Sequence, residues 1–204
     1  MLGRAVIGAV ALQAIAGVFA NAQAQEVRPV VYGTVGLSNV YRAEDRNFGT
    51  AADAGGGAGI EWKRLGIDGD VFHGGERGLE PVPCSVSVPC SGTANSGVLS
   101  LTMASANVSY ALSSSRVRPY LVGSIGAIWS TTVDGRIDVA GGTATLTEIE
   151  SRDTGLTIGV GFGVDIPFSD AFSIRPEFRT FTGSALSGAN LGVHRMSLGL
   201  RYKW

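Results

Sequence analysis

Residues 191–204 read LGVHRMSLGLRYKW, and the reading of this stretch decides the fold. Counting back in twos from the last residue gives Trp204, Tyr202, Leu200, Leu198 and Met196. The intervening set is Lys203, Arg201, Gly199, Ser197 and Arg195. Side chains of a β-strand point alternately to opposite faces. One face is therefore wholly apolar and ends in two aromatic rings, while the other is basic or very small. The sequence stops on that aromatic residue. Such a segment is predicted to be the closing strand of a transmembrane β-barrel.

Working outward, runs with the same alternation lie between clusters of Gly, Ser, Asn and Asp. They are predicted as strands at about 29–38, 56–63, 65–74, 97–111, 117–132, 155–168, 172–183 and 191–204. The connections alternate in length. Lys63–Arg64, Ser113–Arg116 and Ser169–Ala171 are short turns. Asn39–Gly55, Gly75–Ser96 and Val133–Thr154 are long, with Ser184–Asn190 the short member of that set. This is the layout of an outer-membrane barrel, and an even strand number puts both termini on the periplasmic side. In the third long connection, Asp134-Gly135 and Gly141-Gly142 are hairpin-turn dipeptides beside two short apolar runs, so strands five and six are expected to extend beyond the membrane.

Alternation alone fits a soluble barrel as well as its inverted membrane counterpart; what the polar face carries separates them. Glycines cluster on it, at Gly57 and Gly59 in strand two and at Gly159, Gly161 and Gly163 in strand six, where a narrow lumen needs close approach. Its charges nearly balance: Glu61, Asp68, Asp70, Asp165 and Glu177 against Arg118, Arg175, Arg179, Arg195, Arg201 and Lys203. Aromatic residues stand at strand ends as interface girdles, at Trp62, Trp129, Tyr202 and Trp204. Charged residues make up only 16% of the chain, few for an exported soluble domain. The expected fold class is all-β: an eight-stranded antiparallel up-and-down transmembrane barrel.

Strand four fits less well. Leu99, Leu101 and Met103 share one phase, and Ala106, Val108 and Tyr110 the other. A bulge near Ser105 would reconcile them, or one phase is simply less apolar. Pro119 and Pro176 lack a ladder donor, and both lie near periplasmic strand ends where the loss is cheapest.

The amino terminus has the form of a secretory signal. Arg4 precedes an apolar run from Ala5 to Ala20, and Ala22 and Ala24 form a small-residue cleavage site. Residues 1–24 are read as a cleaved signal peptide and 25–204 as the barrel domain. In an exported chain, Cys84 and Cys90 in PCSVSVPC are expected to form a disulfide. The near-zero net charge of −1 gives no reason to expect nucleic acid as a partner.

The segments RPYLVGSIGAIW (118–129), GLTIGVGFGVDIPFSDAFSIRPEFRTF (155–181) and VHRMSLGLRYKW (193–204) resemble the second half of small outer-membrane β-barrel proteins of the OmpA/OmpX and opacity-antigen type. The resemblance covers about half the chain. It implies a location in the outer membrane of a Gram-negative bacterium, surrounded by outer-membrane lipid. It also implies insertion by the barrel-assembly machinery, which would recognise Met196, Leu198, Leu200, Tyr202 and Trp204 in the last strand. No periplasmic peptidoglycan-binding domain of the OmpA kind is expected.

Specific chemistry finds little support. An eight-stranded lumen is just wide enough for side chains to fill it, so its charges are expected to pair with one another. Asp68 and Asp70 share the lumen face, but His73 has the opposite parity and Glu76 falls in the loop, so the four make a poor metal site. The GVGFG at 159–163 lies in mid-strand with no helix after it, which removes a phosphate-binding role. The only histidines are His73 and His194, and the His-x-Ser-Asn pattern of the family's lipid A deacylases is absent. No catalytic residue, metal or cofactor is expected. The chain reads as a structural or surface-exposed barrel whose long loops could meet a surface ligand; a narrow porin-like channel and a lipid A-modifying enzyme are the alternatives.

Overall fold

The computed structural model describes residues 27–42, 46–78, 97–140, 143–185 and 190–204. The expected signal peptide and the Cys84–Cys90 pair lie outside the described residues. Eight strands follow in order: β1 (Val27–Arg42), β2 (Arg46–Trp62), β3 (Leu65–Gly78), β4 (Gly97–Ala111), β5 (Arg118–Ala140), β6 (Thr143–Pro167), β7 (Phe172–Ala185) and β8 (Asn190–Lys203). Each pairs antiparallel with the next, and β8 closes on β1. A path of directly opposed residues runs Val31, Ala58, Gly69, Ala106, Ile125, Ile158, Thr182, Gly192 and back to Tyr41. It rejoins β1 ten residues on (41 − 31 = 10), the stagger that tilts the strands and sets the width of the lumen.

Facing follows the alternation and is inverted. Leu156 is 72% exposed and Met196 65%, whereas Arg179 and Arg195 are 3% and 2% exposed. An apolar surface running round the whole barrel is far larger than a soluble monomer tolerates.

Three expectations are corrected, and the choice left open in strand four is decided. Asn39–Gly55 is not a long loop: β1 runs up to Arg42, pairs there with Arg46, and β2 takes in the glycine-rich stretch. Similarly, β3 continues to Gly78 instead of stopping at the predicted Gly74–Gly75 boundary. For strand four the second of the two readings holds and not the bulge: its register with β5 is unbroken from Gly97 to Ala111, and Leu99, Leu101 and Met103 face inward together with Ser105, Asn107 and Ser109. Ala104 and Ala106 give its outer face little apolar weight, which is why the phase was ambiguous. Finally, Asp134-Gly135 lies within the β5–β6 ladder, whose last pair is Ala140 with Thr143. The expected extension of strands five and six is present. Actual register shifts occur at the upper ends, in β1 between Asn39 and Tyr41 and in β3 between Gly74 and Arg77. The β6–β7 ladder is interrupted opposite Pro176 but resumes in the same register.

Candidate functional site

The lumen and the wall around it are the surfaces on which function can rest. All the inward charges expected from the sequence face the lumen, and they form layers. Nearest the termini, Arg118 contacts Glu61 at 2.6 Å and Asp165 at 2.5 Å. Lys203 lies 2.9 Å from Asp165 and 3.3 Å from Glu61, and Arg201 3.1 Å from Glu61. In the next layer Arg179 joins Glu177 at 2.5 Å and Asp70 at 3.0 Å, while Arg175 meets Glu177 at 3.3 Å. Hydroxyls and an amide complete that layer. Tyr120 donates to Glu177 at 2.7 Å, and Tyr32 and Asn107 donate to Asp68 at 2.5 and 2.8 Å. Ser105 donates to Asp70.

Above these, Arg195 pairs with Asp53 at 2.7 Å. Asp53 is absent from the sequence-derived set because it falls in the stretch read as loop. With it, Arg118, Arg175, Arg179, Arg195, Arg201 and Lys203 meet Asp53, Glu61, Asp68, Asp70, Asp165 and Glu177 in these layers, and Asp153 adds a carboxylate on the inward parity of β6 near the upper end. Mutual pairing is what a low-dielectric interior demands, because a buried charge without a partner is costly.

The upper part of the lumen is apolar. Phe72, Leu99, Leu101, Met103, Ile128, Phe181, Val40 and Val193 form one buried cluster. Arg195 joins the two parts, its guanidinium carbon 4.3 Å from the centroid of the Phe72 ring. Two small pockets in the lumen have about 20 Å³ of space, beside Glu61, Arg118 and Tyr120, and about 10 Å³, beside Tyr32 and Thr34. Spaces of this size take water and not a larger ligand.

The glycines of the inner face have a specific partner. Each of four inward rings lies directly across from a glycine on the adjacent strand: Tyr32 opposite Gly57, Phe72 opposite Gly55, Tyr120 opposite Gly163, and Phe181 opposite Gly159. A Cβ on Gly57 would stand 2.6 Å from Tyr32 Cζ, and one on Gly163 2.5 Å from Tyr120 Cζ. The bare backbone is the surface on which the ring lies.

The outer wall has two unlike boundaries. At the end with the termini and short turns, taken as periplasmic, Trp62, Tyr110, Phe168, Phe172, Tyr202 and Trp204 are exposed. The proposed assembly residues Met196, Leu198, Leu200, Tyr202 and Trp204 all face outward on or beside β8, 38–65% exposed. At the other end rings are fewer among the described residues: Trp129 of the expected girdle, and Tyr41, which lies across from Gly192 beside His194. Instead, the outward series of every strand changes from apolar to Thr, Asn or His: Asn39, Thr50, His73, Thr102, Thr131, Thr154, Thr180 and His194. Neighbours in this collar touch. Asn39 Nδ2 donates to Thr50 Oγ1 at 3.2 Å, and His73 Nδ1 lies 2.8 Å from Thr102 Oγ1. His194 stacks on Tyr41 with ring centroids 4.9 Å apart. Among the described residues no cluster of His, Cys, Asp and Glu could hold a metal ion.

A closed eight-stranded barrel with a greasy wall and an ion-filled lumen is an integral outer-membrane protein. The chain belongs to the outer membrane protein beta-barrel domain family, whose model matches residues 8–203. No curated protein matches the sequence. The fold is similar to that of Neisserial surface protein A (NspA), with a TM-score of 0.61 and 17% identity over 86% of this chain and 97% of that one. A major outer membrane protein from Thermus thermophilus gives a TM-score of 0.54 and 14% identity, over 88% of this chain and 100% of that one. Ail, the attachment invasion locus protein of Yersinia pestis, gives 0.51 and 15%, over 87% and 99%. These likenesses carry the fold, and with the family they place the protein in the outer membrane of a Gram-negative cell.

Proposed function

We propose that the protein is a non-conducting, non-enzymatic barrel that anchors a two-stranded arm above the outer membrane for contact with a surface partner. The arm carries the reading. The β5–β6 ladder continues from the level of Trp129 to Ala140, eleven residues further (140 − 129 = 11), which at strand rise is about 36 Å along the strand. Among the described residues β5 has only β6 beside it from Gly135 upward, β4 pairing with β5 as far as Asp134. The charge-balanced lower lumen and the apolar cluster above it support a closed interior. Ail, similar in fold, is an attachment protein by name and has been crystallised with the heparin analogue sucrose octasulfate. The test is a shortened arm in which residues 135–148 are replaced by a two-residue Asn-Gly turn, joining the opposed pair Asp134 and Ile149. The variant is expected to keep the heat-modifiable gel mobility of the folded barrel while losing retention on immobilised heparin and on host-cell matrix. Stepwise currents from the intact protein in planar bilayers would instead support the channel.

A further inference from the structure

The polar collar marks where the apolar wall stops, yet its composition is unlike the opposite boundary. One part forms a continuous row along the hydrogen-bonding direction. Thr180 opposes His194, His194 opposes Asn39, and Asn39 opposes Thr50, across β7, β8, β1 and β2. Three strand spacings make the row about 14 Å long. Its imidazole is held flat between the Tyr41 and Phe178 rings, 4.9 and 6.2 Å away between centroids. Gly192 leaves the space that the Tyr41 ring occupies.

We infer that this row is a docking surface for the saccharide–phosphate headgroup of the outer-leaflet glycolipid, lipid A. Three observations carry it. First, the row continues directly upward from the lipid-facing belt of Leu37, Met196 and Phe178, so acyl chains lying on that belt bring their own headgroups to it. Second, the chemistry is complementary. Hydroxyl, amide and imidazole groups donate to phosphate and ester oxygens and accept from sugar hydroxyls, and the length suits a disaccharide with a phosphate at each end. Third, the row is a distinct zone rather than the start of the wet surface. At this end of the wall, outward-facing charge appears only higher up among the described residues, where Arg152 and Glu150 pair at 2.8 Å in open water, Arg152 being 78% exposed. The periplasmic boundary, lined by Trp62, Tyr202 and Trp204, meets the other leaflet with rings instead. The asymmetry of the wall matches the asymmetry of the bilayer.

The experiment compares wild type with a variant carrying Asn39→Leu, Thr50→Val, Thr180→Val and His194→Leu. Both are folded into vesicles of phosphatidylcholine alone, phosphatidylcholine with lipid A, or phosphatidylcholine with phosphatidylglycerol at matched charge. The rate of unfolding in urea is the readout. Lipid A is expected to slow wild-type unfolding about tenfold, the worth of one to two net hydrogen bonds, and to slow the variant less than about twofold. Phosphatidylglycerol is expected to change either protein less than about twofold. An equal lipid A effect on both proteins overturns the inference, and so does an effect of phosphatidylglycerol as large as that of lipid A. Should the four-residue variant not fold, Thr50→Val and His194→Leu singly carry the same comparison, each expected to lose part of the lipid A effect; retention of the whole effect by both overturns the inference.

Discussion

The lower and upper halves of the lumen solve the same packing problem with opposite materials. Below, Arg118, Arg175, Arg179, Arg201 and Lys203 interlock with carboxylates from strands that are distant in sequence. Above, Phe72, Leu101, Met103 and Phe181 fill the same width with carbon. The difference is one of dependence. A carbon group lost from the upper half leaves a hole, whereas a charge lost from the lower half leaves its partners charged and only partly compensated. The two halves should therefore fail differently, and the comparison can be pressed from either side.

The largest effect is expected from Arg179→Ala. This guanidinium holds both Asp70 and Glu177, and Asn107 accepts from it at 2.9 Å. Removing it leaves Asp70 with no basic partner among the described residues and Glu177 with Arg175 alone in a buried interior, a loss of about 3–5 kcal/mol. Urea unfolding in detergent micelles measures it, and a loss below about 1 kcal/mol, short of tenfold in the equilibrium, would show that water enters the lower lumen freely. In the upper half, Met103→Ala should cost about 2–4 kcal/mol through the cavity it leaves. It should do so without moving the Arg195–Asp53 pair below. A strong non-additivity between Met103→Ala and Arg179→Ala would join the halves into one unit and break the comparison.

A third test concerns what both halves share, the ring lying on a glycine. Gly159→Ala drives a methyl into the Phe181 ring and should cost about 1–3 kcal/mol. In a Phe181→Leu background the same substitution should cost clearly less. Equal cost in both backgrounds would mean that the strand backbone, not the ring, resists the methyl.

These differences also explain what could be read in advance. The lower half was legible because an arginine or aspartate cannot face lipid, so charge fixes the phase of Arg175, Glu177 and Arg179 without further information. The upper half was not, since Leu99, Leu101 and Met103 suit lipid and lumen equally well. On β4 the inward polar residues Ser105, Asn107 and Ser109 are too small to settle the phase against them. Asp53 was missed for a different reason. It sits in AADAGGGAG (51–59), where glycine suggests a turn; yet Asp53, Gly55, Gly57, Gly59 and Glu61 keep one parity throughout. A glycine on the inner parity of a barrel strand is better read as the seat of a ring on the neighbouring strand. Gly55 and Gly57 could then have pointed to Phe72 and Tyr32. The polar collar went unseen because Thr is an ordinary strand residue; only the register aligns its members across eight strands.

The smallest effect is the control that gives the lumen values their meaning. Arg152 and Glu150 pair at 2.8 Å, as short as many of the buried contacts, but their side chains are 78% and 50% exposed. Water and salt already satisfy both groups, so Glu150→Ala should change stability by less than about 1 kcal/mol, and raised salt should erase even that. The Arg179–Asp70 pair, at 3.0 Å and almost wholly buried, should keep its contribution in the same salt. Distance is nearly the same in the two pairs. If their substitution costs converge as salt is varied, burial is not what separates the lumen from the arm.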